Sequence, residues 1–336
     1  MKNTNIMRYP NVLLLLLAII LSSFSFQSCE KEEPAVTSVR NIANEEFYKL
    51  MKEWYYWHDA IPQLNPADYA NPAALLESIR KLPEDRWSYV TSKAAFEALF
   101  VRSTMFGHGF ASGYDASGNL RVLFVFNRSD LFPAGVRRGW VIRAINDRPI
   151  APGTNISALL GPNQDGFANT FTFDRPAAAD TTITSRKGEI VMNNVLHNEI
   201  IHKDGLKIGY MILNGFTGPT KAEIDTVINS FFNNRIDELI LDLRYNGGGQ
   251  TDIALHLASR IAGNNIAGRP FANYIFNEMQ AARHNRTEAF LTLDKGLNLS
   301  RLTVITTNAT ASASEMIING LRPFIPVTVV GTATYG

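Results

Sequence analysis

Glu238-Leu-Ile-Leu-Asp-Leu-Arg-Tyr-Asn-Gly-Gly-Gly249 is an apolar run that stops on three consecutive glycines. Glu238 to Leu243 has the length and apolar texture of a buried strand, and the glycines end it. Ile253, Leu257 and Ile261 follow at helical spacing, which makes the stretch one half of a strand–helix alternation. The alternation extends on both sides. Lys207 to Leu213 is a second strand run, and Ile224, Val227, Ile228 and Phe231 fall at i, i+3, i+4 and i+7 of a helix. Leu302 to Thr306 and Val327 to Val330 flank another helix that begins near Ser312. Such alternation predicts an α/β layer architecture. In sheets of that kind the carboxyl ends of the strands carry the sites.

Two segments fall at such ends. A serine hydroxyl is a poor nucleophile until a neighbour takes its proton and fixed donors stabilise the charge developing on the attacked carbonyl. In Thr310-Ala-Ser-Ala-Ser-Glu315 a strand ends at Thr306 or Thr307, a turn runs to Thr310, and a helix starts near Ser312. That hydroxyl then sits at the positive end of the helix dipole, and the backbone N–H of Ala313 has no partner inside the helix. Ser314 is the alternative; two positions apart on a helix, the two serines point to different faces. The bland use of Ser312 is a helix N-cap. In Asn246-Gly-Gly-Gly249, Gly248 or its neighbour Gly247 can turn an N–H outward as a second oxyanion donor. A phosphate-cradling loop is the competing use, but Gln250-Thr251 stands where a nucleotide-binding loop carries its lysine. No Gly-x-Ser-x-Gly, no His-Glu-x-x-His and no clustered Cys/His spacing occurs, so neither a metal nor a cofactor is expected. His197, His202, His256 and His284 are scattered, and no Ser-His-Asp motif joins them.

The two segments together resemble those of the C-terminal processing (tail-specific) serine peptidases. The resemblance implies a crotonase-like peptidase core and selects Ser312 as the nucleophile of a Ser/Lys dyad, with Gly248 and Ala313 as the oxyanion hole. It gives Asp242, Arg244 and Asn246 the task of holding the glycine loop. In the family the general-base lysine directly follows an aromatic-Gly pair. Here that pair is Tyr335-Gly336, the last two residues, so the resemblance implies that the lysine would be the next residue of a longer chain; the other reading is a truncated, inactive form. The expectation is a fragment of a serine endopeptidase that hydrolyses peptides negligibly at 336 residues. The alternatives are a catalytically inactive peptide-binding lipoprotein and a hydrolase of small esters on the same core.

Between Phe106 and Asn194 the texture is β-rich: Leu120 to Phe126, Trp140 to Ile145 and Thr170 to Phe173 read as strands. The segment Ala134 to Asn146 resembles the helix-then-strand signature of PDZ domains, and Gly107-His-Gly-Phe110 stands where their carboxylate-binding loop would be. Gly107, His108, Gly109 and Phe110 are therefore expected to receive the C-terminus of a protein or peptide substrate, with the neighbouring strand edge adding the chain by β-augmentation. His108 departs from the usual leucine, and a histidine in a turn is ordinarily solvated. Asp174 to Glu189, rich in Pro, Ala and Thr, reads as a hairpin loop or insertion with no assignable chemistry.

Asn41 to Leu99 carries helical spacing, with Ile42, Phe47, Leu50, Met51 and Trp54 near one stripe; the aromatic run Trp54 to Trp57 reads as core. At the start, Lys2 and Arg8 precede the apolar run Val12 to Leu21, which is too short for a bilayer of ~30 Å. Cys29, the only cysteine, follows Ser28 in a setting that resembles a bacterial lipobox, and Glu30 to Glu33 resembles the surface-export signal of Bacteroidetes lipoproteins. The expectation is a lipid anchor on Cys29 in the bacterial cell envelope, on the periplasmic or outer membrane surface. A net charge of +1 without a basic stripe argues against a nucleic-acid partner. The expected organisation is a signal peptide (1–28), a tether (29–38), a helical cap (39–104), a PDZ-like domain (105–200) and an incomplete peptidase core (201–336).

Overall fold

The computed structural model describes the backbone from Val36 and the side chains from Ile42, both to Gly336. The signal peptide, Cys29 and most of the tether lie outside the described residues. Beyond them the chain divides into two compact units after Val90.

In the first unit, helix α1 (Val36–Trp54) begins inside the stretch read as tether and is followed by α2 (Pro72–Ile79). Asn71 caps α2 by accepting from the Ala74 N–H at 2.9 Å, with Pro72 at the first helical position, where a missing N–H costs nothing. Ile61, Leu75 and Ile79 form the core against Phe47, Met51 and Tyr55. The aromatic run is divided between inside and outside. Tyr55 packs on that core and donates to Asp85 at 2.7 Å, whereas Trp54 and Tyr56 are exposed.

The second unit opens with α3 (Lys93–Phe96), which runs into a π turn, and then holds four sheets. Strand β1 (Thr104–Gly107) pairs antiparallel with β8 (Gly188–Val191). An antiparallel sheet comprises β2 (Phe110–Tyr114), β3 (Leu120–Val125), β4 (Val141–Ile145), β6 (Ala168–Arg175) and β7 (Ala178–Arg186) in that order, with β5 (Arg148–Pro149) on β4. The short helix α4 (Ile156–Leu160) accompanies it, and Leu120, Val122, Ile142, Ile145, Phe171 and Phe173 make its core. Two expectations are corrected here. Residues 131–139 form turns and not a helix ahead of β4, with Gly135 and Gly139 at positive φ breaking any helical run. Asp174 to Glu189 is no loose insertion: it forms the end of β6, all of β7 and the start of β8. Its threonines suit a pleated surface, and Thr170–Thr184 and Thr172–Thr182 hydroxyls meet across the strands at 3.3 Å.

The remaining chain builds the α/β layer: β9 (Val195–Lys203), β10 (Leu206–Leu213), α5 (Thr220–Asn234), β11 (Glu238–Asp242), α6 (Thr251–Ala262), β14 (Leu302–Thr306), α8 (Ala313–Leu321) and β15 (Val327–Gly331). A side ribbon of β12 (Pro270–Tyr274) and β13 (Arg286–Ala289) flanks α7 (Glu278–His284). The main sheet has the order β15-β14-β11-β10-β9; the first four run parallel and β9 is antiparallel to β10. Burial along β14 alternates, with Leu302, Val304 and Thr306 sealed and Thr303 and Ile305 half-buried, so one face carries the main core. Leu241, Val304, Ile228, Leu257 and Ile317 belong to a single apolar cluster from the sheet, α5, α6 and α8. Burying each such side chain stabilises by about 1.5–3 kcal/mol, which fixes the sheet that carries the loops.

Candidate active site

Strands β11 and β14 are parallel neighbours with Asp242 opposite Ile305, so the segments leaving their carboxyl ends emerge side by side. Hydrogen bonds then join them. Thr310 Oγ1 donates to the Leu243 carbonyl at 2.8 Å, and Thr307 Oγ1 to that of Arg244 at 2.6 Å. The Asn246 carbonyl accepts both the Ala311 N–H (3.1 Å) and the Ser314 hydroxyl (3.0 Å). Small hydroxyl residues in 307–314 are thus the means by which the serine turn is tied to the glycine loop.

The two serines separate on burial. Ser314 is fully buried and its hydroxyl is committed to Asn246; Ser312 is exposed. Ser312 is the residue before α8, with φ +55° and ψ −119°, a conformation that costs a non-glycine residue of order 1–3 kcal/mol. Glu315, three residues on, accepts the Ser312 N–H at 2.7 Å, the return half of a capping box. The N–H of Ala313, at the first helical position, has no acceptor among the described residues. Gly248 lies directly against this turn: a Cβ added there would stand 2.7 Å from the Ser312 Cβ and 3.1 Å from its Oγ, and φ is +106°. Ser312, Ala313 and Gly248 are therefore brought together. The Gly248 N–H, however, donates to Asn246 Oδ1 at 2.9 Å, whereas Gly247 is exposed. Asn246 Nδ2 is buried with no hydrogen-bond partner among the described residues.

Behind the loop, Asp242 is fully buried and accepts from Arg244 Nε at 2.9 Å and Tyr210 Oη at 2.7 Å, with a further bond from Arg244 Nη2. Burial alone would raise the Asp242 carboxyl, but the Arg244 and Tyr210 donors outweigh it and hold the pKa below its ordinary value. Burial and the Asp242 bond push the Tyr210 phenol up to about 12. The loop thus hangs from a hydrogen-bonded pair that is charged at neutral pH.

Gly107, His108, Gly109 and Phe110 lie elsewhere, at the junction of β1 and β2; Gly107, His108 and Phe110 line a cavity of about 190 Å³ with Ser112 of β2 and Ile156 and Leu160 of α4, whereas Gly109 does not reach it. The carbonyls of His108 and Gly109 are used inward, by the Ser129 hydroxyl and the Phe126 N–H. His108 is not solvated: it is 4% exposed, with Nδ1 2.8 Å from Ser185 Oγ and Nε2 2.8 Å from Asn169 Oδ1. Ser185 in turn donates to Asp130 at 2.6 Å. Burial pushes the imidazole pKa down, against the Asn169 bond that favours the charged ring. The ring is a packing element under the turn, stacked edge-on to Phe171. Sequence reading missed Ser185 and Lys187 of the Thr-rich stretch because no local motif marks them. Glu315 could have been found from the Ser-x-x-Glu spacing.

Other histidines are engaged away from this turn. His256 Nε2 meets Asp225 at 2.7 Å, and His197 Nε2 lies 3.6 Å from Glu199. Among the described residues no group of three or more His, Cys, Asp or Glu is placed to hold a metal.

With this geometry in hand, the sequence pattern of peptidase family S41 matches residues 207–336, and that of the S41 N-terminal domain matches residues 43–89. A "Probable CtpA-like serine protease" of Staphylococcus saprophyticus is 22% identical over 297 residues, covering 87% of this chain and 56% of that protein. A "Carboxyl-terminal-processing protease" of Picosynechococcus is 28% identical over 155 residues, 46% of this chain and 35% of that one. The chain thus spans about half the length, or less, of these curated relatives. A solved S41 protease of Bacteroides fragilis superposes with a TM-score of 0.71 at 24% identity, covering 87% of this chain and 78% of its own, a likeness of fold.

Proposed function

We propose, for a chain that belongs to peptidase family S41, a serine endopeptidase that cleaves proteins near their C-termini, with Ser312 as nucleophile. The observation that carries this reading is the turn at Ser312. It is a strained, exposed serine at a helix N-terminus, with the unpaired Ala313 N–H on one side and the glycine loop packed on the other. In the proposed reaction a general base takes the Ser312 proton as Oγ attacks the scissile carbonyl. The oxyanion is held by the Ala313 N–H and by Gly248 or Gly247, and the base returns the proton to the leaving amine. The Gly248 N–H reaches the oxyanion only by sharing or leaving its bond to Asn246 Oδ1; the exposed Gly247 N–H needs no such change. Water then hydrolyses the acyl-enzyme.

The base is proposed to be a lysine directly after Gly336, its pKa lowered by desolvation. In support, the carboxylate of Glu315 accepts the Ser312 N–H through one oxygen and the Gly336 N–H (3.2 Å) through the other, so the chain leaves Gly336 beside the nucleophile. The reading extends to a crotonase-like core and to a PDZ-like role for the β2–α4 groove, in which the turn amides take the substrate carboxylate while the free edge of β2 takes its backbone. It also places the protein in the cell envelope on a Cys29 lipid. The test is hydrolysis of peptides by a chain extended past Gly336, followed by mass spectrometry. Ser312→Ala abolishing turnover while peptide binding survives supports the reading; a fully active Ser312→Ala enzyme overturns it. Peptide binding without turnover by the extended wild-type chain would favour an inactive peptide-binding lipoprotein.

A further inference from the structure

Lys187 is 4% exposed, yet it lines the β2–α4 cavity. Its position follows from two pairings: Gly107 pairs with Gly188 in the β1–β8 ribbon, and the Lys187 backbone bonds Gly166 and Phe167, so its side chain lines the same cavity as His108. The ammonium donates to the carbonyls of Gly161 (3.0 Å) and Pro162 (2.9 Å) and to Asn163 Oδ1 (3.3 Å), and lies 5.5 Å from the centre of the Phe167 ring. All these partners are uncharged. Asp165 approaches the backbone at Gly188 and Asp130 lies beyond Ser185, but neither makes an ion pair with Lys187. A buried cation without a counter-charge is costly, and an anion entering the cavity relieves that cost.

The rest of the cavity limits what the anion can be attached to. Phe110 and Ser112, alternate residues of β2, face it from one side, and Ile156 and Leu160 of α4 from the other. Among the described residues β2 is the last strand on its side of the sheet, so its outer edge is open to a pairing chain. About 190 Å³ is below the roughly 300–1,000 Å³ of pockets for drug-sized ligands, and holds one carboxylate with one small or medium apolar side chain.

We propose that Lys187 is the charge that makes this groove select a free C-terminal carboxylate on a small apolar residue over the same peptide with a blocked end. The inference rests on the peptide-groove reading above and adds the residue that sets its selectivity. Loop N–H groups alone would donate to a terminal amide oxygen as well as to a carboxylate; a fixed cation favours the carboxylate. The competing role is structural, since Lys187 also ties down the carbonyls that follow α4.

The test uses the full chain carrying Ser312→Ala to prevent turnover. Fluorescein-labelled decapeptides ending in Ala, Val or Leu are prepared as free acids and as C-terminal amides, and binding is read by anisotropy. The free acid is expected to bind roughly ten- to a hundredfold tighter than the amide, the span of a partly desolvated charge–charge attraction to an ammonium whose own hydrogens stay on Gly161, Pro162 and Asn163. Lys187→Met is expected to collapse that ratio to about one, and Lys187→Arg to retain most of it. A purely structural Lys187 would weaken both peptides equally and leave the ratio intact, which overturns the proposal. Should Lys187→Met not fold, the wild-type salt dependence decides: free-acid binding weakening with ionic strength while amide binding does not is expected, and equal slopes reject the assignment. Equal binding of acid and amide by the wild type removes Lys187 alone, whereas no binding of either removes the groove reading as well and leaves the Ser312 chemistry untouched.

Discussion

At the scale of single residues, the site depends on contacts too close to tolerate a methyl group or the loss of a hydroxyl. Ser312→Ala in the extended chain is expected to lower kcat by about 10⁴–10⁶-fold, measured by peptide hydrolysis, because no other hydroxyl is exposed in the turn's place. Ser314→Ala tests the opposite role. It removes a buried donor from the Asn246 carbonyl and should cost about 1 kcal/mol of stability by chemical denaturation, with catalysis reduced but present. Gly248→Ala forces a Cβ to within 2.7 Å of Ser312 Cβ at a φ that L residues avoid, so, if the loop supplies the proposed oxyanion donor, a fall of about 10²–10³-fold in kcat with near-native binding is expected from its displacement. Of these positions, the serine pair and the glycines were marked by their motifs, and Ser312 was singled out from Ser314 only by the family resemblance. That Ser314 is sealed and Ser312 open was not, because helical phase relative to the sheet is set by packing.

At the scale of elements, the first turn of α8 works as one device. Glu315 holds the strained Ser312 amide and the backbone of Gly336 with its two oxygens, and Asn246 fastens the same turn to the loop after β11. Glu315→Ala is expected to lose a capping interaction of about 0.5–2 kcal/mol. If the next residue is the base, it should also lower kcat with little change in KM, which steady-state kinetics on the extended chain can read. Strand β11 likewise earns its place by what lies under it. Asp242→Asn leaves Arg244 with a neutral partner in a buried site, and a loss of about 3–5 kcal/mol, the range for breaking one side of such a pair, should appear as a lowered denaturation midpoint. Strand and helix periodicities predicted β10, β11, β14, β15, α5 and α6 closely, since each buries one regular stripe. The turns at 131–139 and the strand β7 were misread because glycine placement and cross-strand threonine pairing depend on neighbours distant in sequence.

For the whole molecule, acid should act in two stages. His108 and His256 have pKa values pushed below 6.5 by burial, so the folded state holds them neutral while the unfolded chain takes up protons. Their contribution is complete above pH 6.5 and declines as pH falls below it. Asp242, depressed below 3.8, contributes fully above that value and loses its share only as pH drops further. Thermal melts across pH 3–8 should therefore show a decline beginning near 6.5 that is reduced in His108→Gln, with a later, steeper loss reduced in Asp242→Asn. The two larger sheets of the second unit meet where Phe124 packs on Tyr245 (5.3 Å between rings) and Arg138 Nε donates to the Tyr245 hydroxyl at 2.9 Å. The residue ahead of the Asn246-Gly-Gly-Gly249 loop thus ties the antiparallel sheet to the α/β layer.

Local pattern by itself determined the α/β alternation, the position of the glycine loop and the serine turn at strand ends, and the β-rich segment between them. These are short-range properties: apolar period, glycine freedom and capping chemistry all act within a few residues. Tertiary structure alone decided that residues 246–248 and 312–314 pack against each other, that His108 is sealed under its turn, and that Lys187 stands beside it without an ion pair. Those facts depend on which strands become neighbours and in what register, and that choice is made by burial summed over the whole core rather than by any stretch that can be read alone.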